Sequence, residues 1–456
     1  MKLNKYLLMA AMGLGLVACT ENDLVEGGDS NGAQNEGTTY VGFSLKFNAS
    51  NTRATTTRKE DGTEAEQNIK TAYVMMADAS GNVEQIISTT DKGTGTSNTN
   101  TDYYVFQTTA GVHYFYAVVN PDVIPSKEGD NANAKTINAY FNTGVTLTVA
   151  NITSTADGGN FMMASENVLT ADVEDGVTKD EALKGTKNCF AINVERATAK
   201  VTMTCDSETL TNATNNAGGT LDETQFTLKQ GAGVSFRMAQ ASIIADDNNT
   251  FEYTSSPTSV YIKGTDPSEE EDYIHRSAAP VYCLENIRGS YLQGNTTYLT
   301  LQTTFTPAKV VDPDETQIKD LKENTYTGED DNKTFYVVKQ GELAGNYIMA
   351  EDLQSYRDSK SDQSALPAGV EAISDAYTNG NCYFGPIWIG QTDTDKDNAP
   401  VVRNTWYNLK ITGITLPGDP QEPKPDPDQP LVPGTNVAIT LSVMPWNFID
   451  REIDLQ

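Results

Sequence analysis

Residues 436–456 read NVAITLSVMPWNFIDREIDLQ. Val437, Ile439, Leu441 and Val443 alternate with Ala438, Thr440, Ser442 and Met444, the period of two of a strand with one apolar face. Pro445 interrupts that run. Trp446, Phe448, Ile449, Ile453 and Leu455 then supply a second apolar set in a shifted phase. Ahead of the strand, residues 417–434 (PGDPQEPKPDPDQPLVPG) are rich in proline and acidic side chains and suit neither a helix nor a sheet interior. An apolar strand held away from its own sheet by a stiff spacer is built to dock elsewhere. The plainer alternative is a last strand that folds back into its own sheet after a long loop.

The same alternation stands at the other end of the chain. In residues 39–50 (TYVGFSLKFNAS), Val41, Phe43, Leu45 and Phe47 alternate with Gly42, Ser44, Lys46 and Asn48, a half-buried strand. Residues 51–59 (NTRATTTRK) follow, rich in threonine, unpatterned and carrying Arg53, Arg58 and Lys59, a segment open to proteolysis. Before the strand, residues 20–38 are polar, acidic and Gly-rich and read as a tether. Further out, Lys2 and Lys5 precede a short apolar run over residues 6–17. That is a signal peptide, too short for the roughly 20 apolar residues of a membrane span. It ends Leu16-Val17-Ala18-Cys19, which resembles a bacterial lipoprotein box and implies cleavage before Cys19 and lipidation there. A removable strand thus lies between a lipid tether and a cleavable loop.

The chain's 456 residues exceed one ordinary core, so two domains are expected. Further strands are expected at residues 69–78, 83–89, 103–109, 112–119, 145–150 and 191–204, with helical character at 132–142. In the second half they fall at 225–228, 233–244, 260–263, 281–286, 296–306, 381–391 and 401–416. Strands at this density predict an all-β protein of two antiparallel β-sandwich domains plus a C-terminal extension. The expected division is a signal peptide at 1–18, a lipidated tether at 19–38 and a removable strand with its cleavage loop at 39–53. The N-terminal sandwich takes 54–190, the C-terminal sandwich 191–416, the spacer 417–435 and the donor strand 436–456.

Net charge is -30, from 62 acidic and 32 basic residues. Nucleic acid is excluded as a partner, because phosphate contacts need clustered Lys and Arg. Such acidity keeps a protein soluble at high local density. Of two histidines, His113 lies inside VHYFYAVV, where a packed or surface-facing strand histidine is expected rather than a catalyst. No GxSxG, HExxH, P-loop or GxGxxG arrangement occurs, so no enzyme and no cofactor is expected. Asp393, Asp395 and Asp397 open like a calcium loop, but Asn398 and Asn404 stand where an EF-hand needs Gly and Glu, so no metal is assigned. Cys189, Cys205, Cys283 and Cys382 form no CxxC pair and are expected to be buried thiols.

Taken in order, these features resemble the Mfa/FimA-type fimbrilins, type V pilins made as lipoprotein precursors. The resemblance is carried by the lipobox at Cys19, the strand at residues 40–47 and the Arg53-Ala54 bond. It continues through Val194-Glu195-Arg196-Ala197-Thr198-Ala199-Lys200-Val201, Arg403-Asn404-Thr405-Trp406-Tyr407, Ile411-Thr412-Gly413-Ile414 and the Trp446 region. It implies transthyretin-like sandwiches, a precursor lipidated at Cys19 in the outer membrane, and an arginine-specific protease that cuts after Arg53 or Arg58. The displaced strand would carry Val41, Phe43, Leu45 and Phe47. A donor strand from another copy would replace it, in a head-to-tail polymer with anchor and tip subunits. Membrane contact would be only through the lipid before processing, and the mature form would lie in the fimbrium, supporting adhesion. From another class, a monomeric glycan-binding surface lipoprotein remains as the alternative.

Overall fold

The computed structural model describes residues 38–47, 60–88, 104–129, 132–142, 149–154, 160–232, 235–239, 260–261, 264–265, 280–321, 333–392, 394–432 and 437–447. Its first part carries β1 (Thr38–Phe47), β2 (Glu60–Asp61), β3 (Ala72–Ala77), β4 (Val83–Ser88), β5 (Tyr104–Thr109), β6 (Gly111–Val119), β7 (Met163–Ser165), β8 (Leu169–Val173) and β9 (Cys189–Arg196). All but β2 form one sheet, in the order β4-β3-β6-β7-β9-β1-β5, with β8 also on β6. Neighbouring residues of β3 point to opposite faces, as the pleat requires. Val74 and Met76 enter one core with Val41, Phe43, Phe115, Ile192 and Val194, while Met75 and Ala77 enter another with Tyr140 and Phe141. Ile87 of β4 and Phe106 of β5 share the first core although their strands end the sheet at opposite sides. The sheet therefore curls over its own apolar face.

The second part carries β10 (Thr198–Asp206), β11 (Gly219–Lys229), β12 (Val260–Tyr261), β13 (Gly264–Thr265), β14 (Val281–Leu284), β15 (Tyr298–Pro307), β16 (Lys309–Asp312) and β17 (Gln317–Asp320). It continues with β18 (Phe335–Gln340), β19 (Tyr347–Met349), β20 (Ala372–Ile373), β21 (Asn381–Trp388), β22 (Thr405–Ile414) and β23 (Val437–Asn447). One sheet runs β13-β10-β22-β23-β2 with β14 on β10, and another runs β12-β11-β15-β21. Val201, Met203, Leu409 and Ile411 of the former share a core with Phe226, Leu301, Phe305 and Phe384 of the latter, so the two sheets face each other. The described chain is all-β, with helices kept short: α1 (Glu64–Gln67), α2 (Val149–Ile152), α3 (Lys179–Leu183), α4 (Ser207–Ala217) and α5 (Ala350–Asp358).

Several local expectations change. Residues 191–204 are two strands, because the chain passes from the first sheet to the second at Ala197, whose N–H bonds the Met162 carbonyl at 3.0 Å. Val149 and Ala150, expected to end a strand, instead begin α2, and residues 235–239 are irregular, held by Arg237 to Asp122 rather than by a ladder. Helix α4 is built from weak helix formers, and its buried Ala213 and core-facing Leu210 and Ala217 override propensity. The sheets also mix directions: β1 runs parallel to β9, and β10 parallel to β22. Side-chain alternation is the same in both kinds of ladder, so pattern alone cannot distinguish them.

The proline-rich segment is not held off the fold. It crosses the outside of β21 and β15, with Asp419 and Tyr383 exchanging main-chain bonds at 2.9 Å and Glu422 pairing with Lys229 at 2.8 Å. Leu431 then buries among Tyr291, Tyr298, Trp388 and Ala399, and Trp388 Nε1 donates to the Val432 carbonyl at 2.8 Å. Proline suits this course because such contacts need few main-chain donors. Leu431→Ala should cost about 2 kcal/mol, read as a lowered midpoint in urea unfolding.

Candidate functional site

Strand β1 is internal and staggered between two neighbours. Its first part pairs antiparallel with β5, from Thr38 opposite Thr109 to Phe43 opposite Tyr104. Its second part pairs parallel with β9, from Gly42 opposite Cys189 to Phe47 opposite Val194. Val41 is fully buried and Phe43 is 2% exposed, with Leu45 packed against the same core; the Phe43 and Phe106 rings lie 6.0 Å apart. Taking β1 away would leave the facing edges of β5 and β9 unpaired along one apolar trough.

Where β9 has not yet begun, the loop around α3 holds the start of β1. The Val177 carbonyl accepts from Tyr40 N at 3.1 Å, and Val177 N donates to Thr39 Oγ1 at 2.9 Å. Asn188 accepts Gly42 N on its carbonyl at 2.9 Å, while its side-chain amide donates to the Tyr40 carbonyl at 3.0 Å and to Thr39 Oγ1 at 3.3 Å. Asn188 sits at φ 46°, in the left-handed region that Asn tolerates better than most residues. This clamp reads main chain plus one hydroxyl. Sequence reasoning missed it; an Asn directly before the Cys189 strand was the available signal.

The C-terminal strand lies in its own subunit. β23 pairs antiparallel with β22 from Ile414 opposite Val437 to Thr405 opposite Pro445, with a register shift between Ile411 and Gly413. The fold-back alternative is therefore the arrangement seen. On its other side, only Trp446 and Asn447 are paired among the described residues, with Glu60 and Asp61 of β2. Among the described residues most of β23 is therefore paired on one side alone, a setting that tolerates a proline such as Pro445. Val437, Ile439, Leu441, Val443 and Trp446 lie in β23, apart from Val41, Phe43 and Leu45. Cys19, Arg53, Ala54, Arg58, Phe448, Ile449, Ile453 and Leu455 lie outside the described residues.

Directly after β2, α1 is bolted to the second part of the chain. Thr63 and Glu66 form a reciprocal capping box, a TxxE signature legible in the sequence but overlooked. The fully buried Glu66 carboxylate pairs with Lys200 at 2.9 Å and accepts from Tyr282 Oη at 2.6 Å, and its carbonyl accepts from Arg196 Nε at 3.0 Å. Burial pushes the Glu66 carboxyl up, but Lys200, Tyr282 and Thr63 outweigh it and hold the group below its usual range. Nearby, Arg403 binds Glu285 at 2.9 Å and the Arg237 and Phe236 carbonyls at 3.1 and 2.9 Å. Glu195 stands 4.0 Å from Arg403 with one oxygen unbonded among the described residues. Burial pushes it up to about 8 despite Arg403, with Glu285 and Glu166 adding repulsion.

His113 is a packed residue, within 3.0 Å of Glu84 and 2.9 Å of the Thr109 carbonyl. Cys205, Cys283 and Cys382 are buried thiols, and Cys189 is a half-buried one. Asp395 accepts from Asn398 in a tight turn, and Asp393 lies outside the described residues. Among the described residues, no three His, Cys, Asp or Glu side chains group to hold a metal, and no helix is long and apolar enough to cross a membrane.

The fold is thus that of an all-β chain whose β1 is held on both edges and whose β23 lies on β22. Residues 375–452, which include β21, β22 and β23, match the family model described as major fimbrial subunit protein type IV, fimbrillin, C-terminal. The resemblance to Mfa/FimA-type fimbrilins therefore holds, and the match supports a structural subunit of fimbriae. Three solved structures are similar at low identity. A Parabacteroides distasonis protein designated a cell adhesion protein is 14% identical, over 90% of this chain and 100% of its own, with a TM-score of 0.46. The fimbrilin FimA of Porphyromonas gingivalis is 14% identical over 91% and 99%, TM-score 0.44. The tip fimbrial protein Mfa3 of the same species, C-terminally truncated, is 14% identical over 90% and 100%, TM-score 0.43. The likeness to fimbrillins therefore rests on residues 375–452.

Proposed function

We propose that this chain is a stalk subunit of surface fimbriae, exported as a lipoprotein on Cys19, cut in the loop after β1 and polymerised by donor-strand insertion. The observation that carries the reading is the position of β1: an internal strand, paired on both edges, supplied from before the arginine-bearing loop. Cutting after Arg53 or Arg58 by an arginine-specific protease releases β1 and opens the trough between β5 and β9. The β23 segment of another copy then leaves a one-sided ladder on β22 for a trough with two edges.

Val437, Ile439, Leu441 and Val443 entering the trough would contribute about 6–12 kcal/mol before ordering costs. From that gain, the ladder lost on β22 must be deducted. A joint of unlike surfaces that does not close on itself makes a filament, with anchor and tip subunits at its ends. The precursor belongs to the outer membrane and the mature form to the fimbrium. The two regions flanking Ala197 serve as the N- and C-terminal domains of the subunit.

The test is the N-terminal residue of sheared surface polymer, by intact mass spectrometry. A start at Ala54 or Lys59 is expected, together with loss of polymer when residues 436–456 are deleted. A lipidated Cys19 on a monomer that keeps its surface role after the deletion would overturn the reading in favour of a glycan-binding lipoprotein.

A further inference from the structure

The two strands that compete for the trough can be aligned residue by residue. β1 reads Thr39-Tyr40-Val41-Gly42-Phe43-Ser44-Leu45-Lys46-Phe47, and the C-terminal stretch reads Thr435-Asn436-Val437-Ala438-Ile439-Thr440-Leu441-Ser442-Val443. Threonine meets threonine, valine meets valine and leucine meets leucine at the first, third and seventh places. Gly42 meets the next smallest residue, Ala438, and Ser44 meets another hydroxyl, Thr440. Phe43 and Phe47 meet Ile439 and Val443, apolar but smaller.

We infer that residues 435–443 of a second copy enter the trough in the direction and register of residues 39–47, with Thr435 taking the place of Thr39 in the clamp made by Val177 and Asn188. This rests on the strand-exchange reading above and specifies how the exchange is read. The apolar set alone does not choose a direction, because Val443, Leu441, Ile439 and Val437 also alternate when reversed. The clamp does choose. Val177 N and the Asn188 amide both aim at a hydroxyl on residue 39, at 2.9 and 3.3 Å in a buried setting. A reversed strand would bring Pro445 there, which has neither a hydroxyl nor an N–H. The buried Val177 N–H would then lack its acceptor, at a cost that disfavours this direction. Gly42 adds a second filter. Its N–H bonds the Asn188 carbonyl and its position is buried, so the forward strand introduces only one methyl there, whereas the reversed strand brings Ser442. Asn188 is therefore a positioning residue for the joint.

Register is read by cross-linking. Lys46 stands opposite half-buried Asn193 of β9, so the forward register puts Ser442 of the donor beside Asn193. In the full chain with Cys189→Ser, the pair Asn193→Cys and Ser442→Cys should give a covalent ladder on a non-reducing gel after arginine-specific cutting and polymerisation. The pair Asn193→Cys and Ala438→Cys should not. A ladder only from the second pair means reversed entry and overturns the inference while leaving strand exchange standing. Polymer without a ladder from either pair means another register or another segment, and overturns it equally. Failure of the cut parent chain to polymerise removes the strand-exchange reading itself, and this inference with it. As a separate readout, Thr435→Val should slow polymerisation roughly tenfold, since a buried donor loses its acceptor, and Thr435→Ser should restore it. Polymerisation of Thr435→Val at the parent rate would overturn the role given to the clamp.

Discussion

Glu66→Gln is expected to lower the stability of the precursor by about 3–5 kcal/mol at neutral pH, the scale for breaking a buried ion pair by removing one partner. The neutral amide leaves Lys200 buried without its carboxylate and offers one acceptor oxygen where Tyr282, Lys200 and Thr63 now share two. The pH dependence follows from the direction of the shift. Glu66 is held below its ordinary value of 4.5, so its contribution is present above that pH and is lost as pH falls through the folded value. Urea unfolding should therefore show the variant and parent converging in acid and diverging above pH 5. Glu195 supplies the opposite case. Its folded value of about 8 lies above the ordinary 4.5, so the stability it allows is full below pH 4.5 and declines as pH rises towards 8. Glu195→Gln should match the parent near pH 4.5 and exceed it at pH 8. A loss at pH 8 as large as that of Glu66→Gln would mean that Glu195 is ionised and paired with Arg403.

The strands at both ends were legible from their period of two, and Val41, Phe43 and Leu45 do share one core. What the alternation could not convey was the partner of each strand. β1 lies between β9 and β5 through contacts more than sixty residues away in sequence, and its parallel pairing with β9 has the same pattern as an antiparallel one. The spacer was misjudged for a related reason: proline content argues against ladders, yet Leu431 and Trp388 fix the segment through a side chain and a single carbonyl. Helix α4 was missed because its sequence is polar and threonine-rich and the core beneath it decides its structure; in the hairpin of β16 and β17 only Val310 and Val311 are buried, too short a run to mark a strand pair. The clamp left little trace because, apart from the Thr39 hydroxyl, it recognises main-chain atoms, which every sequence possesses.

Arg53→Gln together with Arg58→Gln should reduce polymerisation by on the order of a thousandfold. As long as the loop is intact, β1 is tethered to the trough it fills, and a short tether gives it an effective concentration of order millimolar. A donor strand at about 1 μM in the assay competes against that at a thousandfold disadvantage. Restoring one arginine at a time identifies the bond that matters, since the restored variant should recover both the shortened N-terminus and the polymer. Deleting residues 39–47 from the double variant separates the protease from the strand: with no β1 to displace, polymer should form without any cut. Polymerisation of the uncut double variant at the parent rate would mean that β1 stays in place during assembly. The trough would then not be the joint, and the edge of β22 or β23 would be the surface left to make it.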